Sequence, residues 1–581
     1  MSRNAESRFA VNPTDVDIRR SRFDRNASYK TSFNVGDLIP FYCDEVLPGD
    51  TFDIKTSKVV RLQTLLTPVM DNIYLDTYYF FVPNRLTWEH WKEFNGENTE
   101  SAWIPQTEYQ VPQLVSPTGG WSIGSIADYF GIPTGIENLS VNALPFRAYS
   151  LIVNEWFRDQ NLQDPLNIPL GDATTTGSNG SNYITDCVCG GKPFIAAKFH
   201  DYFTSCLPAP QKGPDVTISA VSGGLSPVYA MDNSHVWSEY PTMANGLPIP
   251  MRVSPTIIST DDTVPNAPDS TWSTDAYLSL GNGVTKNGWA TDDTANVYKF
   301  INSVSASNMR TALFPNNLYA VNTGSFAVAT INQLRQAFQI QKMYEKDARG
   351  GTRYIELLKT HFGVTSPDYR LQRPEYLGGN RTPITINQVL QNSGTVSGST
   401  PQGTTTGQSL TVDVNDDFTK SFTEHGFVIG LMVARYDHTY QQGIERFWKR
   451  KNRFDYYWPV FANLGEQAVK NYEIYAQGTE KDDEVFGYQE AWADYRYKPS
   501  RVTGEMRSSA PASLDVWHLG DDYSALPTLS DTWIREDKNN VDRCLAVTST
   551  VSNQLFADLY IKNRTTRVMP IYSIPGLLDH H

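Results

Sequence analysis

The stretch NIYLDTYYFFV, residues 72–82, consists largely of β-branched and aromatic side chains. Ile73, Leu75, Tyr79 and Phe81 fall on one face at a period of two, the repeat of a pleated strand. TFDIKTSKVVRLQTLL (51–66) precedes it with the same character, and Pro48-Gly49 and Pro83-Asn84 punctuate the pair. Comparable strand signals return in HGFVIGLMVARYDHTY (425–440) and NQLFADLYIKNRTTRVMPIYS (553–573). Strands thus cluster at both ends of the chain, with helices and loops between them and no internal repeat. The fold class expected is mainly β, one body closed by its two ends around large insertions.

Composition supports that class. The 581 residues carry 34 Pro, 39 Gly, 13 Trp and 31 Tyr, a loop-rich and aromatic chain rather than a helical bundle. The net charge of −14 argues against nucleic acid coating the whole surface and leaves room for a local basic face. Five cysteines, an odd number in a long chain, fit reduced thiols better than a disulfide framework. The polar start MSRNAESRFAVNPTD has no apolar core of a signal peptide, and no run of about 18 apolar residues offers a membrane span. These features fit a chain made and assembled in a cytoplasm.

Residues 1–37 read as a basic N-terminal arm. Arg19, Arg20 and Arg22 stand among few large apolar side chains, so the segment is expected to order against a partner. First strands are expected over 38–97. An insertion over 98–212 contains a helix at 145–161, with Pro145 in its first turn and Tyr149, Ile152, Val153, Trp156 and Phe157 on one apolar face. Residues 213–312, rich in Gly, Pro, Ser, Thr, Asn and Asp, read as a protruding acidic β-and-loop insertion. The span 313–424 holds a helical pair joined at Gly350-Gly351 and a low-complexity loop over 391–410. The remaining strands occupy 425–575, and 576–581 form a tail.

Motifs for chemistry are scarce. ARGGTRY (348–354) matches neither GxxxxGK[ST] nor GxGxxG and reads as a glycine turn between helices. No HExxH exists, and Cys187, Cys189 and Cys206 lack a fourth ligand at a zinc spacing, so no metal and no cofactor is expected. Neither GxSxG nor a Cys-His signature appears. Asp437, Asp455, Asp494 and Asp515 lie on or beside aromatic strands, the raw material of a carbohydrate-active β-scaffold, but spacing along a chain does not give the separation of two carboxylates. The strongest electrostatic feature is ERFWKRKNRFDYYWP (445–459). There Arg446, Lys449, Arg450, Lys451 and Arg453 interleave with aromatics that include Trp448. Cations beside stacking rings suit single-stranded nucleic acid, and equally a subunit interface.

Several long words carry a resemblance: PFRAYSLIVNEWFRDQNLQDPL (145–166), KFHDYFTSCLPAPQKGP (198–214), YEKDARGGTRYIELLKTHFGV (344–364) and SPDYRLQRPEYLGG (366–379). With QGIERFWKRKNRFDYYWP (442–459) and DLYIKNRTTRVMPIYSIPGLLDH (558–580), they resemble, in order along most of the chain, the major capsid proteins of microviruses, closest to the gokushovirus branch. The part that matches least is 213–312. The resemblance implies an eight-stranded antiparallel jelly roll with large insertions, assembled with one chain per asymmetric unit into a small T=1 icosahedral shell. It implies no enzymatic activity. It implies a three-fold protrusion built by a long insertion, here 213–312, that touches a host receptor. It also implies a scaffolding protein during assembly, a DNA pilot protein, and packaged circular single-stranded DNA. In that setting Arg446, Trp448, Lys449, Arg450, Lys451, Arg453, Arg19, Arg20 and Arg22 become candidates for DNA contact. Glu345, Arg349, Gly350, Gly351 and Arg353 become candidates for a subunit interface.

Overall fold

The computed structural model describes residues 20–97, 107–214, 228–230, 253–258, 289–292, 297–300, 310–315, 318–320, 331–350, 354–363, 372–393 and 401–572. The chain divides into two compact units, Met1–Pro214 with Lys342–His581, and Asp215–Gln341.

Nine strands build the two main sheets of the first unit: β1 (Ser21–Asp24), β2 (Ala27–Phe33), β3 (Ile39–Val46), β4 (Thr51–Leu62), β5 (Ile73–Pro83), β6 (Glu375–Pro383), β7 (Thr411–Ser421), β8 (Gly426–Tyr436) and β9 (Leu555–Arg567). The first sheet runs β1–β9–β4–β7, with β2 also paired to β9, and the second runs β6–β5–β8–β3. Every pairing in both is antiparallel. Successive strands pass between the sheets at almost every step, which is the connectivity of a jelly roll. Five strands lie in one sheet and four in the other, because the first position is split. At the break the Arg25 amide donates to the Asn563 carbonyl at 2.7 Å, while its guanidinium crosses to Asp44 of β3 at 2.6 Å.

Burial follows the alternation. In β4, Phe52, Ile54, Val60 and Leu62 point inward, and in β9 so do Leu555, Ala557, Leu559 and Ile561. Ile73, Leu75, Tyr79 and Phe81 of β5 meet them from the facing sheet. β5 and β8 are buried on both faces. Their outward Phe80, Val82, Ile429, Leu431 and Val433 pack under α1 (Leu144–Ile152), which contributes Phe146, Tyr149 and Ile152. The Tyr149 hydroxyl donates to the Leu38 carbonyl at 2.7 Å and fixes the helix on the sheet.

Several boundaries differ from the sequence reading. The arm over 1–37 is strand from Ser21 to Phe33, apart from the break. Tyr29 packs against the core and Phe33 lies within it, enough to hold the segment along β9. The helix expected over 145–161 is α-helical to Ile152 and closes in a π turn, Val153–Phe157. Beyond it the Asp159 carboxylate accepts from the amides of Asn161 and Leu162, a local turn that competes with a further helical turn. Within the loop expected over 391–410, Thr405–Ser409 is a strand paired with Ile386–Leu390. Residues 394–400, most of 213–312 and the 576–581 tail lie outside the described residues. In the second unit, Val253–Ile258 pairs with Arg310–Pro315, Trp289–Asp292 with Val297–Phe300, and Val228–Ala230 with Leu318–Ala320, all antiparallel.

A polar knot is buried just past β8. His438 lies between Asp521 (Nδ1 to Oδ1, 2.9 Å) and Glu536 (Nε2 to Oε1, 2.8 Å), with all three side chains nearly inaccessible. The Lys198 ammonium approaches Asp521 at 3.5 Å and lies over the Trp533 ring at 4.7 Å. The Asn540 amide donates to Asp521 at 2.6 Å and to the Tyr436 hydroxyl at 2.9 Å. Burial pulls the imidazolium pKa down, but the two carboxylates outweigh it and raise His438 to about 9. Asp521, in turn, is held below the ordinary carboxylate range because its cationic neighbours outweigh its burial. The knot joins the insertion that carries Lys198 to the segments after β8.

Candidate nucleic-acid and subunit interface

The basic-aromatic segment folds as three short 3-10 turns, Arg446–Lys449, Arg453–Asp455 and Pro459–Phe461. Asn452 and Asp455 form a reciprocal capping box, and the Asp455 carboxylate accepts from the amides of Lys451 and Asn452 at 2.8 and 2.7 Å. Those backbone hydrogen bonds hold Asp455 below its ordinary pKa.

The five cations of this segment do not share one environment. Arg446 is largely covered, and its guanidinium donates to Glu473 at 3.0 and 2.7 Å and to the Ala468 carbonyl. Burial works against its charge, yet Glu473 and Tyr202 raise its pKa further above the ordinary value. Arg450 is covered a little further, pairs with Asp494, and stacks on the Tyr495 ring at 4.3 Å. Lys449 is half-buried, 3.7 Å from Asp482 and 4.5 Å above the Tyr472 ring. Only Lys451 and Arg453 are fully at the surface. Trp448, 68% exposed, stands beside Phe447, with Phe454, Tyr456, Tyr457 and Trp458 exposed further on. The run of cations therefore separates into a largely covered, ion-paired couple that fastens the turns and an exposed pair beside a row of rings. The sequence pattern carried no sign of this split, since the partners Glu473 and Asp494 lie 27 and 44 residues away.

Arg22 projects from β1 and Arg20 precedes it at the surface, while Arg19 lies outside the described residues. In the helical pair, α2 (Ile331–Gly350) ends at Gly350 and α3 (Tyr354–Phe362) begins four residues later. Arg349 pairs with Glu466 and reaches Glu490 at 3.8 Å, both in the same chain. The Glu345 carboxylate lies against Gly465. The Thr360 hydroxyl donates to the Gly350 carbonyl at 2.9 Å, and His361 meets Asp347 at 2.5 Å, so the two helices close on each other. Gly351 and Arg353 lie outside the described residues.

The carboxylates that could have served a glycosidase are each committed to a structural contact. Asp494 pairs with Arg450, Asp455 caps a turn, Asp515 lies 3.7 Å from Arg543, and the neighbouring Tyr74 hydroxyl has its pKa raised by burial and then by Asp437. Burial pushes the Cys187 thiol up to about 12, which keeps it protonated at neutral pH. Among the described residues, no three His, Cys, Asp or Glu side chains converge as metal ligands, and no helix is long and apolar enough to cross a membrane.

The family model described as "Capsid protein (F protein)" matches residues 12–577. The capsid protein VP1 of Chlamydia phage 1 is 43% identical, covering 98% of each chain. That of Spiroplasma virus 4 is 43% identical over 94% of this chain and 93% of its own. That of Bdellovibrio phage phiMH2K is 41% identical over 99% and 98%. The similarity runs from end to end of the chain. The chain therefore belongs to the phage capsid (F protein) family, in the gokushovirus branch of the microviruses, and is a structural, non-enzymatic protein of the virion that assembles into a multimeric shell.

Proposed function

We propose that this chain is the coat subunit of a T=1 icosahedral shell that encloses circular single-stranded DNA. The observation that carries the reading is identity of 41–43%, kept over nearly the full chain, to coat proteins of three phages. The compact unit Asp215–Gln341, set within the sequence of the jelly-roll unit, supports the assignment of the 213–312 insertion to a three-fold protrusion for host attachment. The exposed Lys451 and Arg453, with Arg453 over the Phe454 and Trp458 rings and Trp448 exposed in the same segment, support a contact with the packaged DNA, with Arg20 and Arg22 as further cations. Arg446, Lys449 and Arg450 then act from behind by holding the turns. Glu345, Arg349, Gly350, Gly351 and Arg353 belong to a helical pair at a subunit contact. A scaffolding protein and a DNA pilot protein act during assembly in the host cytoplasm. The test is production of this chain with its neighbouring phage genes, followed by nuclease protection. DNA-filled particles are expected, and particles that never protect DNA would overturn the reading.

A further inference from the structure

The two outward faces of the jelly roll are unlike. On the β6–β5–β8–β3 sheet, outward Phe80, Val82, Ile429 and Leu431 are buried under the α1 insertion. On the other sheet, the central strand β9 presents Phe556, Asp558, Tyr560, Lys562 and Arg564, all exposed.

That open face is basic on an acidic chain. Its cations are Arg22, Lys30, Lys55, Arg61, Lys562 and Arg564, and its carboxylates are Asp24, Asp53, Asp416 and Asp558. Six against four leaves an excess of two positive charges, on a chain of net charge −14. Lys30, Lys55 and Arg564 pair with Asp558, Asp416 and Asp24 at 3.5, 2.9 and 3.7 Å. Arg22, Arg61 and Lys562 have no carboxylate within 4.0 Å among the described residues. Lys55 and Lys562 are direct cross-strand partners, and like charges placed opposite each other destabilise a bare sheet. A phosphate between the two ammonium groups would offset that repulsion.

The aromatic residues are placed to match. Tyr560 is 42% exposed and Phe556 39%. Across the strands Tyr560 faces Ser28 and Ser57, too short to cover its ring, and Phe556 faces Ser32 and Arg61. Four residues apart on one strand, the rings stand about 13 Å from each other. Asp558 stands between the two rings and is paired with Lys30, while Arg61 lies opposite Phe556 and Lys562 follows Tyr560 on the same face. Exposed rings on a sheet with such cations beside them form a surface on which bases stack while phosphates meet the cations.

We propose that the outward face of the β1–β9–β4–β7 sheet is a platform for single-stranded DNA, with bases on Tyr560 and Phe556 and phosphates at Arg61, Lys55 and Lys562. This rests on the reading that the shell encloses such DNA, and it places the principal contact on the jelly roll itself rather than on the 446–458 turns.

Ultraviolet cross-linking of DNA-filled particles, followed by mass spectrometry, tests the assignment. Nucleotide adducts on Tyr560 or Phe556 are expected. Adducts confined to other segments, or cross-links from β9 to a neighbouring copy of the chain, would overturn it. A second test measures binding of a mixed-sequence 20-nucleotide DNA to the full-length chain against salt. The variant carrying Arg61→Ser and Lys562→Ser is expected to lower the slope of log affinity against log salt by about 1.4, two phosphates at about 0.7 each. Tyr560→Ala is expected to weaken binding by about fivefold or more. If the native chain binds and both variants match it, this face is excluded while DNA packaging stands. If particles hold no DNA and the native chain binds none, the packaging reading fails, and this proposal with it.

Discussion

Gly350 shows how one side chain fewer decides a local geometry. A Cβ there would lie 2.3 Å from the Thr360 methyl and 2.5 Å from its hydroxyl oxygen, so α2 and α3 meet through the missing atom. Gly350→Val is expected to destabilise the chain by about 1–3 kcal/mol, the cost of overpacking, and Thr360→Ala in the same chain is expected to restore part of it. Denaturant titration of the two variants checks both. His438 gives a pH signature. Its folded pKa of about 9 exceeds the ordinary 6.5, so its stabilisation is fully present below about 6.5 and is lost as pH rises through about 9. The midpoint of thermal unfolding is expected to fall from pH 7 to 9.5. His438→Gln is expected to be less stable at pH 7 by about 3–5 kcal/mol, since it leaves Asp521 and Glu536 facing a neutral group, and to show a flatter pH dependence over that range. Neither contact is legible from the chain: the glycine pair reads as a turn, but Thr360 as its close neighbour does not, and His438, Asp521 and Glu536 are separated by 83 and 98 residues.

Among the elements, β9 carries the clearest division of labour. Leu559 is fully buried between the sheets and its neighbour Tyr560 is exposed on the open face. Leu559→Ala is expected to cost about 2–5 kcal/mol through lost burial and the cavity left behind. Tyr560→Ala is expected to change stability by less than about 1 kcal/mol, a contrast that chemical denaturation of the two variants measures directly. The strands β4, β5, β8 and β9 are legible in the sequence because their alternation or apolar runs are long. β1 and β2 are not, because outward-facing Arg22 and Lys30 mask inward Tyr29 and Phe33 and make the segment read as a basic arm. The same masking hid the open face. Lys562 and Arg564 read as ordinary strand residues until the β4–β9 register sets Lys55 opposite Lys562. The cations of 446–453 stood out in the sequence, yet two of them are spent on Glu473 and Asp494, carboxylates that local spacing does not reveal.

For the whole molecule, the proposed function assigns the sandwich and the inserted unit separable tasks. Removal of the central part of 213–312, bridged by a short Gly-Ser linker, is expected to leave shells intact and to abolish adsorption to the host. Counting particles by electron microscopy and infectious centres by plaque assay separates the two effects, and unchanged adsorption would remove the attachment role. Fold class and family are legible in the sequence because long words persist across the jelly roll. Beyond its first two residues the 213–312 insertion carries none of those words, and it is read through its composition. The most direct measurement is electron cryomicroscopy of particles purified from cells that make this chain with its neighbouring phage genes. Small closed icosahedral shells are expected, with knobs on the three-fold axes and the β1–β9–β4–β7 face turned toward DNA density. Dispersed monomers with every partner present would contradict the coat-subunit account.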